Sequence, residues 1–314
     1  MRHDIGDRRL DPRWARSVAA RRCIAANRGG VDVIAGSAGA IPALLVAHAS
    51  LGDEELRRTA LHHGEHLLHT ARREASGWSW DTLPGATRAD LTGFAHGAAG
   101  IAWALLELHA ATGDTRYRDA ALRAIAYEQH HFSPSDGNWP DLRDHSKMGD
   151  TSGRPVFGLA WCHGAPGIGL CRLRAWELLG ADALREQAET AARTTAAALQ
   201  QIAARQPADF TYCHGIAGQA ELLRTADRAL AAAALRSSIE DVFTRAALYF
   251  DQGGMPWPCG VPGAGETPGL MVGIAGIGHF YLRLHDSSIP SVLMIGPSSE
   301  GRPVVTRSVS TNQA

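Results

Sequence analysis

Three short segments place a cysteine or a histidine directly before a glycine. They read Ala-His-Gly at 95–97, Trp-Cys-His-Gly at 161–164 and Tyr-Cys-His-Gly at 212–215. Zinc favours a tetrahedral set of cysteine and histidine ligands, and a catalytic zinc site keeps its fourth position open. Cys162, Cys213 and His214 would supply such a Cys2His set. The segments therefore predict one catalytic zinc ion.

Two other interpretations of these residue types stay open. A single cysteine on a helix rich in Ala and Leu is usually a small core residue, and we interpret Cys23, Cys171 and Cys259 in this way. His163 could bind the metal in place of His214, although a fourth protein ligand would close the site. The repetition of Cys-His-Gly favours a metal site over two unrelated core cysteines.

The charge of the predicted site indicates its chemistry. Two thiolates neutralise the zinc dication while His214 stays neutral. With a third thiolate, from a substrate, the zinc would activate water poorly but would keep the bound sulfur deprotonated and electron-rich. Thiol alkylation or conjugate addition fits better than hydrolysis. Conjugate addition also needs a proton donor for the enolate, and His96 and Asp32 are the candidates, although Asp32 could instead cap a helix.

A repeat in the sequence indicates how these residues are brought together. Gly-x-x-Gly occurs at 36–39, 97–100, 164–167, 215–218 and 273–276. Each occurrence opens an apolar stretch typical of a buried helix, at 41–49, 101–111, 168–179, 219–226 and 277–284. Amphipathic stretches follow the first four, at 53–74, 114–131, 182–205 and 227–250. This alternation predicts an all-α fold, an α/α toroid of inner and outer helices, with glycine where neighbouring backbones crowd.

Polar loops at 76–91, 133–155 and 252–268 come directly before three of the glycine elements. If the inner helices start on one face of the toroid, these loops gather around that face and frame the predicted site. Histidines 62, 63, 66 and 69 are predicted to form a solvated face of an outer helix, with a second metal site as the alternative. His130 and His131 are predicted to complement a helix dipole.

Composition narrows the classes of partner and compartment. The 314 residues carry a formal net charge of -1, which favours neither nucleic acid nor an anionic membrane. We find no apolar run long enough to span a bilayer, and the arginine-rich residues 1–22 lack a signal-peptide core. The five cysteines show no disulfide framework. We therefore expect a cytoplasmic protein.

The motifs resemble those of the lanthionine synthetase C-like cyclases, and most closely the C-terminal cyclase domain of class II (bifunctional) lanthipeptide synthetases. The resemblance spans 32–293 and is carried by Val-Asp-Val-Ile-Ala-Gly at 31–36, Gly-Phe-Ala-His-Gly at 93–97, Trp-Cys-His-Gly-Ala-Pro-Gly-Ile-Gly at 161–169, Tyr-Cys-His-Gly at 212–215, and the segments 268–284 and 289–293. It implies an α/α toroid domain over 1–297, followed by a disordered tail at 298–314.

The resemblance also implies an activity and a set of roles. Zn2+ would be held by Cys162, Cys213 and His214, and Asp32 and His96 would act as acid/base residues. The protein would be a carbon–sulfur bond-forming enzyme that adds a peptide cysteine to dehydroalanine or dehydrobutyrine, giving a lanthionine or methyllanthionine ring. Its partners would be a dehydrated precursor peptide and either a separate dehydratase or a missing N-terminal segment.

Two departures from the family pattern stand out. Stand-alone cyclases commonly carry Arg four residues before the first zinc cysteine, where this chain has Gly158, so the group that stabilises the enolate is open. Only about thirty residues precede Asp32, so the toroid could lack N-terminal hairpins. Addition of glutathione or another free thiol, or an inactive peptide-binding module, are the alternatives. A carbohydrate-processing toroid is disfavoured because it would need paired carboxylates at its mouth.

Overall fold

The computed structural model describes residues 30–148, 152–203, 208–230 and 234–296. Cys23, the arginine-rich N-terminal segment and the tail predicted at 298–314 lie outside these residues. The described helices are α1 (Ser37–Leu51), α2 (Glu54–Thr70), α3 (Ala98–Thr112), α4 (Thr115–His130), α5 (Ala165–Leu179), α6 (Asp182–Ala203), α7 (Ile216–Leu230), α8 (Ala234–Ala247) and α9 (Ile274–His285).

The helices alternate between an inner and an outer layer, as the repeat predicts. In α3 every residue from Ala98 to Leu108 is buried, whereas only one face of its outer partner α4 is. Each inner helix contacts the inner helix of the next repeat, so α1 packs on α3, α3 on α5, α5 on α7 and α7 on α9. The prediction of an all-α toroid is confirmed.

The glycine elements start all five inner helices. The first glycine comes directly before the helix in each repeat. The second lies against the backbone of its own loop. A Cβ placed at Gly218 would be 2.1 Å from the carbonyl oxygen of Tyr212, six residues earlier, and the other four repeats show the same approach at 1.9–2.0 Å. No side chain fits there, so the repeated glycine is a packing requirement.

The stop and start signals between paired helices also behave as predicted. Gly52 ends α1 with a φ of 65°, a left-handed conformation that glycine adopts without strain, and its N–H bonds to the carbonyl of His48. Asp53 then caps α2 by accepting a hydrogen bond from the backbone N–H of Glu55. Gly113 and Asp114 repeat this arrangement between α3 and α4.

Three boundaries differ from the prediction. The outer helix predicted at 53–74 ends at Thr70, and the chain continues into β1 (Arg72–Glu74), which pairs antiparallel with β2 (Gly77–Ser79). Gly77 lies close to the backbone of α4, which holds this hairpin in place. The helix predicted at 227–250 was wrong at both ends: Asp227 belongs to α7, and Leu248–Gln252 forms a π-helical turn.

The histidines of α2 were predicted to form one solvated face, and this was wrong for one of them. His63 is 2% exposed and its Nδ1 lies 3.0 Å from the Oγ of Ser37 on α1, so it is part of the inner–outer helix contact. His62 and His69 are exposed. His130 and His131 do lie at the end of α4, but burial, followed by the proximity of His130, lowers the pKa of His131, which opposes a positive charge there.

Buried ion pairs link the inner helices. Glu107 on α3 binds Arg174 on α5 with a 2.6 Å contact, and Glu221 on α7 binds Arg283 on α9 at 2.7 Å. Removing one partner of such a pair would leave an uncompensated buried charge. These pairs fix which inner helices are neighbours. No helix in the described ranges is both long and apolar enough to cross a bilayer.

Candidate metal centre and acid/base pair

Backbone hydrogen bonds join the loops that precede the inner helices. The N–H of Val33 donates to the carbonyl of Ala95 (3.1 Å), that of Ala95 to Cys162 (3.1 Å), that of Cys162 to Cys213 (3.2 Å) and that of Cys213 to Met271 (2.8 Å). We call this series the mouth ladder. It carries the backbone from one repeat to the next and places equivalent residues side by side.

The mouth ladder brings the predicted zinc ligands together. Cys162, Cys213 and His214 each offer one ligand atom, and these atoms lie within 4.8 Å of one another. In the part of the chain that the structure describes, this is the one group of three or more Cys, His, Asp or Glu side chains close enough to share a metal ion. Both cysteines are half-buried and free of disulfide bonds.

His214 is oriented by a loop far along the chain. Its Nε2 lies 2.8 Å from the carbonyl oxygen of Gly260 and 3.7 Å from a carboxylate oxygen of Asp209. Because a carbonyl only accepts, Nε2 carries the proton, and Nδ1 is left available to a metal. A Cβ at position 260 would lie 2.5 Å from Nε2, so the absence of a side chain there makes room for the ring.

The three groups share charge even without a metal. Hydrogen bonds from Cys213 and then His214 lower the pKa of the Cys162 thiol to about 5. The bond to Cys162 is also the main cause that raises the pKa of His214 to about 9, and it raises the pKa of Cys213. At neutral pH the metal-free group therefore holds one thiolate, one thiol and one imidazolium, an arrangement ready to bind a cation.

His163, the alternative ligand, points elsewhere. It is 5% exposed, and its Nε2 lies 3.4 Å from a carboxylate oxygen of Asp141. Burial is the main cause that lowers the pKa of His163. Its ring lies beside Gly158, where a Cβ would come within 2.7 Å of the Cδ2 of His163. His163 is therefore outside the Cys2His group.

Asp32 and His96 form a hydrogen-bonded pair on the same rim. The Nδ1 of His96 lies 2.6 Å from a carboxylate oxygen of Asp32. The other carboxylate oxygen accepts from the N–H of Ala35 at 2.8 Å, in the turn before α1. The hydroxyl of Thr82 donates to the carbonyl of His96. The His96 side chain is 34% exposed, so its Nε2 can reach a ligand while Asp32 orients the ring.

Comparison with known proteins adds the decisive observation. The family model described as "Lanthionine synthetase C-like protein" matches residues 15–295. The chain belongs to this family. A search of curated proteins found no match.

Solved structures share the fold of this lanthionine synthetase C-like protein. Nisin cyclase superposes with a TM-score of 0.63 at 19% identity, covering 87% of this chain and 69% of that one. An alpha-mannanase from Bacteroides thetaiotaomicron superposes with a TM-score of 0.54 at 13% identity, covering 80% and 68%. At such low identity these two matches concern the fold alone.

Two loops over the mouth of this lanthionine synthetase C-like protein are joined to one another. Thr87 and Arg143 form an antiparallel bridge, the N–H of Arg88 donates to the carbonyl of Leu142, and the Lys147 ammonium donates to the carbonyl of Gly85. We call the segments 81–90 and 141–148 the mouth strap. The loops predicted at 76–91 and 133–155 contain these segments, which supports the prediction that they frame the site.

Sequence reasoning missed Gly260, Asp141 and Arg143 as residues that shape this region. Each lies in a loop without periodicity, and its position is set by another segment. The only signal in the sequence was the density of Trp, Pro, Gly and Asp in the loops before the glycine elements.

Proposed function

We propose that the protein is a zinc-dependent lanthipeptide cyclase. It adds cysteine thiols of a dehydrated precursor peptide to dehydroalanine or dehydrobutyrine and so forms lanthionine or methyllanthionine rings. The observation that carries the proposal is the convergence of the Cys162, Cys213 and His214 ligand atoms within 4.8 Å, in a member of the lanthionine synthetase C-like family. An intracellular site of action and the class II assignment are part of the proposal.

The donor set fits zinc. Two sulfurs and an imidazole nitrogen match the protein ligands of an open Cys2His site, and the second ring nitrogen of His214 is already engaged by Gly260, as is usual for metal-binding histidines. When bound, zinc would keep an incoming thiol deprotonated at neutral pH while leaving its sulfur nucleophilic. Cys162, Cys213 and His214 are the residues that would hold it.

The Asp32–His96 pair would handle the proton. Attack of a peptide thiolate on the β-carbon forms a C–S bond and moves the C=C electron pair toward the carbonyl oxygen. A proton must then reach the α-carbon to restore the single bond, and the proton first lost by the thiol balances the reaction without a change in mass. The exposed face of His96 can deliver that proton, and Asp32 holds the ring and stabilises its charged form.

The test combines metal content with a thiol assay. We expect the purified protein to hold one zinc ion and Cys213→Ala to hold none; Cys259→Ser, which changes a half-buried cysteine elsewhere, should keep the metal. With a synthetic peptide that carries one dehydroalanine and one cysteine, the wild-type protein should remove the free thiol without changing the peptide mass.

Other outcomes would decide between this proposal and its alternatives. A peptide that gains the mass of glutathione when glutathione is supplied, without closing a ring, would identify addition of a free thiol. Zinc binding without loss of thiol in either assay would leave a peptide-binding module. A wild-type protein that holds no zinc would overturn the proposed centre.

A further inference from the structure

The proposed addition places negative charge on the acyl oxygen of the dehydrated residue. Enzymes that form such charge usually direct fixed N–H donors at the oxygen. Neither His96 nor the Cys2His group has been given this task, and position 158 carries no side chain. The ring of His163 fills the space beside Gly158, since a Cβ there would lie 2.7 Å from Cδ2 of His163. The donor must come from another segment.

Arg143 is held over the mouth by its backbone. Its N–H donates to a carboxylate oxygen of Asp141 at 3.0 Å, and the residue forms the bridge with Thr87 that closes the mouth strap. The guanidinium Nε lies 3.3 Å from the same Asp141 oxygen. Asp141 is a firm anchor, because its side chain is only 7% exposed and its backbone N–H donates to the carbonyl of Val156 at 2.7 Å.

The free end of Arg143 lies near the metal-binding group. Its positive charge opposes the rise in the pKa of Cys213 and contributes to the lowered pKa of His163, next to Cys162. The side chain is 32% exposed. Among residues that the structure describes, none forms a hydrogen bond or an ion pair with its two terminal nitrogens. Their N–H groups are therefore available to a ligand at the mouth.

We propose that Arg143 is a further catalytic residue, whose terminal guanidinium N–H groups donate to the acyl oxygen of the dehydrated residue as the C–S bond forms. The proposal rests on the proposed cyclase function and deepens it. As the sulfur bonds to the β-carbon, the displaced π electrons reach the acyl oxygen, where the guanidinium stabilises them. They return to the α-carbon when the proton arrives, so Arg143 itself exchanges no proton or electron.

Neighbouring cationic side chains are less suited to this task. His145 and His163 both have Nε2 near Asp141, at 3.1 and 3.4 Å, and are largely shielded. Arg88 and Lys147 also belong to the mouth strap, but both lie near Asp144 and are more than half exposed. Arg88 is therefore a matched control, since its loss removes the same charge from the same strap.

The experiment compares Arg143→Gln, Arg143→Lys and Arg88→Gln as full-length, zinc-loaded proteins with the dehydroalanine–cysteine peptide. We expect Arg143→Gln to lower kcat by roughly 10²–10³-fold, the effect of losing one oxyanion donor. KM should change only a few-fold, because the interaction strengthens in the transition state. Arg143→Lys should recover part of kcat, and Arg88→Gln should match wild type. Zinc content and Tm should be unchanged in all three.

Several results would overturn the role of Arg143. They are a wild-type kcat in Arg143→Gln, a loss of kcat that follows a loss of zinc, and a rise in KM at constant kcat. Each requires a wild-type protein that closes the ring, so the proposed function would survive. A wild-type protein that binds zinc but adds no thiol would remove both proposals, and a failure of this kind is seen before any variant is made.

Discussion

The backbone N–H of Cys162 donates a hydrogen bond to the carbonyl oxygen of Cys213, 3.2 Å away. These cysteines are remote in the chain, and the equivalent bonds of the mouth ladder also connect Ala95 to Cys162 and Cys213 to Met271. The main chain, rather than contact between sulfurs, therefore brings the two thiols together. Side chains at the mouth can be exchanged without removing the bonds that position them.

Asp32→Asn tests the acid/base pair. The new amide oxygen can still accept from the N–H of Ala35, but its NH2 group would face Nδ1 of His96 and force the ring proton to Nε2. We expect the ring-closing rate to fall by roughly 10²–10⁴-fold, with zinc content unchanged. Asp53→Asn makes the same chemical change at the cap of α2 and should leave the rate alone. Equal rates for wild type and Asp32→Asn would remove the acid/base role.

Gly260→Ala tests the orientation of His214. The added methyl group would lie 2.5 Å from Nε2 and would push the ring away from the carbonyl that orients it. We expect zinc affinity to fall by about 10–100-fold, the usual effect of losing such a support, measured by competition with a chromogenic chelator. Gly269→Ala, where the nearest atom is 3.8 Å away, is the control in the same loop. Unchanged affinity in Gly260→Ala would show that His214 does not depend on this contact.

Zinc binding should release protons in a pH-dependent number. In the metal-free protein at pH 7, Cys162 is ionised because its pKa is lowered to about 5, whereas His214, raised to about 9, and Cys213, also raised, are protonated. Binding needs all three deprotonated, so about two protons should leave at pH 7 and about one above pH 9. Affinity therefore rises with pH across this window. Calorimetry in buffers of different ionisation enthalpy measures the number, and release that stays constant from pH 7 to 10 would contradict the shared-proton arrangement.

Two glycines of α9 should respond in opposite ways to alanine. A Cβ at Gly276 would lie 2.0 Å from the carbonyl oxygen of Leu270, whereas a Cβ at Gly278 meets nothing within 4 Å. We expect Gly276→Ala to lower the free energy of unfolding by about 3 kcal/mol and Gly278→Ala to raise it by about 0.5–1 kcal/mol. Urea denaturation of both variants measures the difference. Equal effects would show that the repeated glycine is not a packing requirement.

The parts of the fold that repeat were predictable, because five copies of one pattern report one structural unit. The inner helices, the Gly52–Asp53 junction and the proximity of Cys162 to Cys213 all follow from equivalence between repeats. The β-hairpin at 72–79 did not, since it exists only because Gly77 meets the backbone of α4.

Contacts between distant loops were equally hidden. Gly260 reaches His214, and Arg143 pairs with Thr87, through loops that carry no periodic signal. His63 was misplaced for a related reason: Ser37, its buried partner, lies on another helix. Asp227 has the sequence appearance of a helix start, yet it lies within α7 and binds Arg236 of α8.

The ladder at the mouth also has a consequence for how such a protein can change. Because its bonds use only backbone atoms, each repeat offers one interchangeable slot beside its neighbours, and two of these slots hold Ala95 and Met271 rather than sulfur nucleophiles or imidazoles. The scaffold thus separates support from reactivity. New chemistry could be installed by point mutation at those two slots, with no rebuilding of the surrounding architecture.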